Sequence, residues 1–158
     1  MRLTSAIHRM GVTFALVITG MLASVSIAGP VLDRVKASGT VRVCIWPDYY
    51  GITFRNPRTE QLGGIDIDLS SEFAKTLGVK LQYVESSFST MIDDLSSDRC
   101  DISMHAVGVT PQRQLKLRFS QPYLQSDIYG VTTRGNRLVR NWEDIDRPGV
   151  RVAVQSGT

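Results

Sequence analysis

The sequence predicts an α/β domain with a mainly parallel sheet and flanking helices. Apolar segments of strand length stand at residues 41–46, 79–84 and 102–107, each too short for a core helix. Between them lie helical patterns at residues 66–77 and 88–95. Strand, helix, strand, helix, strand in that order implies right-handed crossovers and parallel neighbours.

The elements follow in chain order. Residues 31–36 form a short helical lead-in that Gly39 breaks, and residues 41–46 are the first strand. Pro47-Asp48-Tyr49-Tyr50-Gly51 leaves that strand as an aromatic loop. Residues 54–64 contain Asn56-Pro57 and Gly63-Gly64, the marks of a hairpin-like excursion. Asp66 is a good N-cap for a helix with Leu69, Phe73 and Leu77 along one face, and Gly78 closes it. Residues 79–84 alternate as a second strand, and residues 88–95 make a helix with Met91, Ile92 and Leu95 inward. A third strand spans residues 102–107. Thr110 as N-cap and Pro111 at the first helical position open a short helix that carries Arg113. Residues 127–133 and 150–154 read as fourth and fifth strands, joined through a one-turn connector at residues 142–146. No internal repeat, heptad pattern or low-complexity tract is present.

The first 28 residues read as a signal peptide. Arg2, His8 and Arg9 make a basic start, residues 10–27 are uncharged and mostly apolar, and Ser26-Ile27-Ala28 presents small residues for cleavage after Ala28. The rival is an uncleaved anchor of spanning length, against which Gly11, Gly20 and several hydroxyl residues weigh. No cysteine stands near the cleavage site, which argues against a lipid anchor. Cleavage takes the formal charge from +3 to +1, leaving 16 basic against 15 acidic residues. No basic stripe interleaved with aromatics occurs, so nucleic acid is not an expected partner. Once exported, Cys44 and Cys100 could pair in an oxidising compartment. Neighbouring parallel strands in register would offset the two thiols by several residues, so two buried free thiols are expected instead. Two cysteines without clustered histidines predict no metal site and no cofactor.

In an open parallel sheet, ligands bind beyond the carboxyl ends of the strands. Residues 46–49 and 105–108 fall there, with Arg113 just after. A guanidinium can hold a carboxylate through two parallel N–H bonds, which suits a free amino acid; the alternative is a solvated Arg113 paired to Asp127. Trp46 and Tyr49 flank Pro47 as pocket walls, and Phe88 is divided between pocket and core. His105, beside Ala106 and Gly108, is either a hydrogen-bonded structural residue or a ligand contact. No Ser-His-Asp relay accompanies it. Capping and the helix dipole account for Asp66 and Asp68.

Gly64-Ile-Asp-Ile-Asp-Leu69, Phe73-Ala-Lys-Thr-Leu-Gly78, Asp101-Ile-Ser-Met104, Thr110-Pro-Gln-Arg113, Phe119-Ser-Gln-Pro-Tyr123, Trp142-Glu-Asp-Ile145 and Val152-Ala-Val-Gln-Ser-Gly-Thr158 together resemble the family-3 extracellular solute-binding proteins of ABC importers. The resemblance runs from about Leu32 to the last residue. It implies a periplasmic receptor that closes two α/β lobes of the type II binding-protein fold on a small amino-acid-like ligand and docks on the importer's membrane subunits. It makes Arg113 the α-carboxylate clamp and puts Tyr49 and Phe88 on the ligand's flanks. Contacts from His105, Ala106 and Gly108 are also implied, and Thr158 falls at the second lobe's carboxylate-binding turn. Two departures bear on specificity. Trp46 stands where binders of cationic amino acids often carry an acid, and His105-Ala106 replaces small hydroxyl or glycine residues. The same motifs also resemble the periplasmic cyclohexadienyl dehydratases, lyases acting on the carboxylated rings prephenate and arogenate, whose catalytic acid is expected in the second lobe.

On this resemblance, residues 29–150 form lobe 1 and residues 151–158 begin the hinge and a truncated lobe 2. A chain of that extent is expected to bind weakly, because closure draws on contacts from both lobes. A fragment without function is the third reading.

Overall fold

The computed structural model describes residues 29–158; the signal peptide expected at residues 1–28 lies outside the described residues. Helix α1 (Pro30–Ser38) has Pro in its first turn and ends on Gly39 at φ 65°. Strand β1 (Thr40–Ile45) follows at once and becomes the centre of the domain. It pairs in parallel with β5 (Lys80–Glu85) on one edge and with β6 (Ile102–Ser103) on the other. A strand covered on both faces must be apolar without alternation, and Val43, Cys44 and Ile45 are buried consecutively. Val35, Val41, Val43, Ile45, Ile67 and Ala74 make the core between the sheet and helix α2. The hairpin-like excursion forms a small antiparallel sheet of β2 (Asp48–Tyr49), β3 (Thr53–Arg55) and β4 (Leu62–Gly63).

Helix α2 (Ile65–Leu77) closes on Gly78 in the left-handed conformation, as expected. Its start differs from expectation. Gly64, not Asp66, is the N-cap, at φ 129°, and a Cβ there would lie 2.4 Å from the Ile52 carbonyl oxygen. Only glycine permits that approach. The Ile65 and Asp66 N–H groups then donate to the Gly51 and Ile52 carbonyls, which sets the rotation of the helix. Its inward residues are therefore Asp66, Ile67, Ser70 and Ala74, while Leu69 and Phe73, expected inside, remain partly exposed. Tyr83 on β5 ties this face down by bonding Ser70 Oγ and the Ile67 carbonyl.

Helix α3 (Met91–Ser96) starts three residues later than expected, because Ser87 and Thr90 exchange side-chain-to-backbone bonds and hold the chain in a turn. Met91 is fully buried, and Asp94 is buried against Ser86 Oγ and Arg99. Thr110 caps α4 (Pro111–Gln114) as expected, and Trp142–Asp144 makes one 3₁₀ turn.

Three strand expectations need correction. β6 covers only Ile102–Ser103, because the chain leaves the ladder after Met104 and turns at Ala106. Residues 127–133 and 150–154 form no strand. Their β-branched composition suits a strand, but no described edge faces them, and Ile128, Val131 and Val154 point into solvent. No helix among the described residues is long and apolar enough to cross a membrane.

The cysteine expectation is also corrected: Cys44 and Cys100 form a disulfide with Cα atoms 5.6 Å apart. The register argument required Cys100 to continue the strand. Pairing begins only at Ile102, opposite Val43, and the preceding segment turns through Asp98 at φ 58°. Asp101 pins that turn: its buried carboxylate accepts from the Arg42 N–H and guanidinium and from Arg34. Burial pushes its pKa up, but these donors outweigh burial and hold it at about 2.

The disulfide spans 56 residues, so its removal should cost about 4 kcal/mol on the chain-entropy account. Urea unfolding of the Cys44→Ala, Cys100→Ala double variant tests this. A loss below about 1 kcal/mol would mean that burial and the Asp101 network alone hold the β1–β6 edge.

Candidate functional site

The carboxyl ends of β1, β5 and β6 open onto one shelf. Trp46 leaves β1, and its carbonyl accepts from Thr53 Oγ1 and the Tyr49 N–H, which folds the aromatic loop back on itself. Phe88 sits in the Ser87–Thr90 turn that follows β5. Trp46, Tyr49 and Phe88 form a closed triangle with ring centroids 5.5, 5.6 and 5.9 Å apart. Phe88 also meets the His105 ring edge-on at 4.9 Å. Tilted and edge-on contacts are the preferred aromatic geometries. Phe88 is 8% exposed and so serves both core and shelf, while Trp46 and Tyr49 keep an open face.

His105 is fully buried. Its Nδ1 lies 3.1 Å from Ser103 Oγ, and its Nε2 has no hydrogen-bond partner among the described residues. Burial holds the imidazole's pKa below its ordinary value; Asp66 opposes that shift and Arg113 reinforces it. The ring is therefore a neutral floor beneath Phe88.

Asp66 is the residue whose role the sequence did not reveal. Its carboxylate is fully buried and accepts from the Ala106 N–H at 2.6 Å and from the Tyr123 hydroxyl at 2.7 Å. Those partners stand 40 and 57 residues along the chain. Motif spacing could not have found them. Burial, and then the bond to Asp66, raise the pKa of the Tyr123 hydroxyl, so it remains a donor. Ala106 is left-handed at φ 52°, which is uncommon without glycine.

Beyond that turn the Gly108 carbonyl accepts from Arg113 Nη1 at 2.9 Å, and Thr110 Oγ1 accepts from the Arg113 N–H at 3.3 Å. Arg113 Nη2 donates to the Gly157 carbonyl at 2.7 Å, and its guanidinium carbon stands 5.9 Å from the Phe88 centroid. Asp127 is not among its partners. Gly157 is pressed on the Phe88–Ser89 backbone, where a Cβ would fall within 2.6 Å of the Ser89 nitrogen. This brings the turn ending in Thr158, whose hydroxyl donates to the Gln155 carbonyl, to the same shelf. The structure thus gathers Trp46, Tyr49, Phe88, His105, Ala106, Gly108, Arg113 and the Thr158 turn.

Two surface hollows lie away from the shelf, one on the hairpin around Tyr50 and Phe54, the other between Val109 and Leu117–Pro122. Among the described residues, no group of three or more His, Cys, Asp or Glu side chains could hold a metal ion.

Residues 41–151 match the family described as bacterial extracellular solute-binding proteins, family 3. Cyclohexadienyl dehydratase of Pseudomonas aeruginosa is 34% identical over 148 residues, 90% of this chain and 54% of that protein. A probable amino-acid ABC transporter-binding protein of Haemophilus influenzae is 29% identical over 143 residues, 89% of this chain and 54% of that protein. The chain therefore spans about half the length of the curated relatives it matches. Among solved structures, an ancestral cyclohexadienyl dehydratase superposes with TM-score 0.58 at 43% identity, over 62% of this chain and 40% of that one. A variant of the arginine-bound form of domain 1 from TmArgBP gives TM-score 0.56 at 28% identity, over 59% of this chain and 71% of that one.

Since the folded state holds His105 below its ordinary pKa, the unfolded chain binds the extra proton first. Stability from this residue is complete above about pH 6.5 and declines as pH falls below it. Urea midpoints at pH 7.5 and 5.5 should therefore separate in the wild type and converge in His105→Gln. An equal separation in both proteins would place the acid sensitivity on another group.

Proposed function

The chain belongs to the bacterial extracellular solute-binding proteins of family 3, and from that premise we propose that it carries the first lobe of an amino-acid receptor serving an ABC importer. One observation carries the reading. The Arg113 fork stands beside Phe88 at the strand ends, and a main-chain oxygen already sits 2.7 Å from one of its nitrogens. A ligand carboxylate presents two such oxygens and full charge, and it binds a guanidinium more strongly than a neutral carbonyl does. Trp46, Tyr49 and Phe88 pack on the ligand's apolar atoms. The Asp66 carboxylate takes the Ala106 N–H, and Arg113 takes the Gly108 carbonyl. The Ala106 carbonyl is left for an ammonium and the Gly108 N–H for a carboxylate oxygen. His105 sets the depth of the floor, and Thr158 closes the carboxylate end from the opposite side. Trp46 supplies no negative charge, so neutral amino acids are the favoured class.

Export to the periplasm follows from the same reading, with residues 1–28 as a cleaved signal. The disulfide supports it, since such bonds persist in oxidising compartments. The arginine-bound domain 1 of TmArgBP supports ligand holding by one lobe of this fold. The importer's membrane subunits are the proposed partner.

A second reading, a dehydratase-like lyase, is favoured by identities of 34% and 43% to cyclohexadienyl dehydratases, against 29% for the transporter-binding relative. The shelf suits a carboxylated ring equally well. The buried carboxylate beside it, Asp66, is committed to two donors and is not a free acid.

Calorimetric titration with a panel of amino acids should find a ligand that Arg113→Ala loses by about a hundredfold or more, the value of a desolvated charged pair of bonds. Unchanged affinity would return Arg113 to a surface role. Turnover of prephenate or arogenate would decide for the lyase.

A further inference from the structure

We propose that Asp66 and Tyr123 form a latch that positions the Arg113 clamp. The inference rests on the proposed ligand reading of Arg113, but Asp66 and Tyr123 are not among the proposed ligand contacts. The Asp66 carboxylate is fully buried and meets no Lys or Arg among the described residues; its partners are the neutral Ala106 N–H and Tyr123 hydroxyl. A buried carboxylate held by neutral donors alone keeps them tightly, because releasing either leaves charge uncompensated.

The consequence runs along the chain. The bond to Asp66 holds Ala106 in the left-handed turn that a non-glycine residue resists. That turn aims the Gly108 carbonyl at Arg113 Nη1, and two residues later Thr110 caps the helix on which Arg113 stands. Asp66 is itself anchored, since its N–H and that of Ile65 donate to the Ile52 and Gly51 carbonyls at the end of the aromatic loop. One side chain therefore fixes the distance between the Trp46–Tyr49 wall and the carboxylate fork. Tyr123 approaches from the segment that leaves the lobe after α4 and occupies the second carboxylate oxygen. Movement of that segment is transmitted to Ala106 through Asp66. Both are positioning residues.

Tyr123→Phe removes one hydroxyl and keeps the ring, and Asp66→Asn keeps the shape but removes the charge. In the full chain, hydrogen–deuterium exchange across residues 105–113 should quicken in both variants, while β1 and β5 stay protected. Affinity for the amino acid found in the panel should fall about tenfold in Tyr123→Phe, the value of one charged hydrogen bond. In an Arg113→Ala background Tyr123→Phe should cause no further loss, whereas a purely structural effect would appear in urea stability and leave affinity alone. If Asp66→Asn does not fold, Tyr123→Phe decides. Unchanged exchange over residues 105–113 in every folded variant overturns the latch, even where Arg113→Ala abolishes binding. Conversely, quickened exchange with affinity indifferent to Arg113→Ala retains the latch and removes the clamp reading.

Discussion

A buried carboxylate constrains everything around it, and Asp66, held among the described residues by two neutral donors, imposes that constraint here. Its carboxylate needs donors wherever the chain can bring them. The first turn of α2 supplies a favourable dipole, and the donors come from Ala106 and Tyr123. Because the helix start is clamped to Gly51 and Ile52, satisfying this one residue draws the aromatic loop, the end of β6 and the post-helical segment to a common point. The shelf lies around that point.

Beneath the shelf the construction is more rigid and less specific. β1 is covered on both faces, paired on both edges and tied to the start of β6 through the Cys44–Cys100 disulfide. Asp101 adds a second tie, collecting Arg34 and Arg42 around one buried carboxylate. Strand ends anchored in this way give the loops above them fixed origins, so side chains on short loops can be held in register without long-range strain.

The chemistry of the shelf follows from what surrounds Arg113. Phe88 packs beside the guanidinium, and Trp46, Tyr49 and the His105 ring pack in turn on Phe88. If Arg113 holds a ligand carboxylate as proposed, that clamp serves a receptor and a lyase equally, because both must first hold an acid. What separates the two functions is where a proton-transferring group stands, and Asp66 and His105 are already engaged in holding the architecture.

The α/β order, the helix stops at Gly39 and Gly78, the hairpin, the Thr110–Pro111 cap and the aromatic–arginine constellation were all legible in the sequence. The stops, the hairpin and the cap depend on residues adjacent in the chain or one helical turn apart, and the constellation follows from the rule that the strand ends of a parallel sheet share one edge. The 127–133 and 150–154 segments were misread because strand composition does not supply a facing edge. The disulfide was misread because Cys100 was assumed to continue a ladder that begins at Ile102. Asp66 was read as a cap because capping is local, whereas its donors lie 40 and 57 residues away. Local composition thus determined which elements form and which residues stand at the strand ends. Only tertiary structure decided which thiols meet, which face of α2 turns inward and which donors satisfy Asp66, since those outcomes are contacts between distant segments that no local pattern encodes.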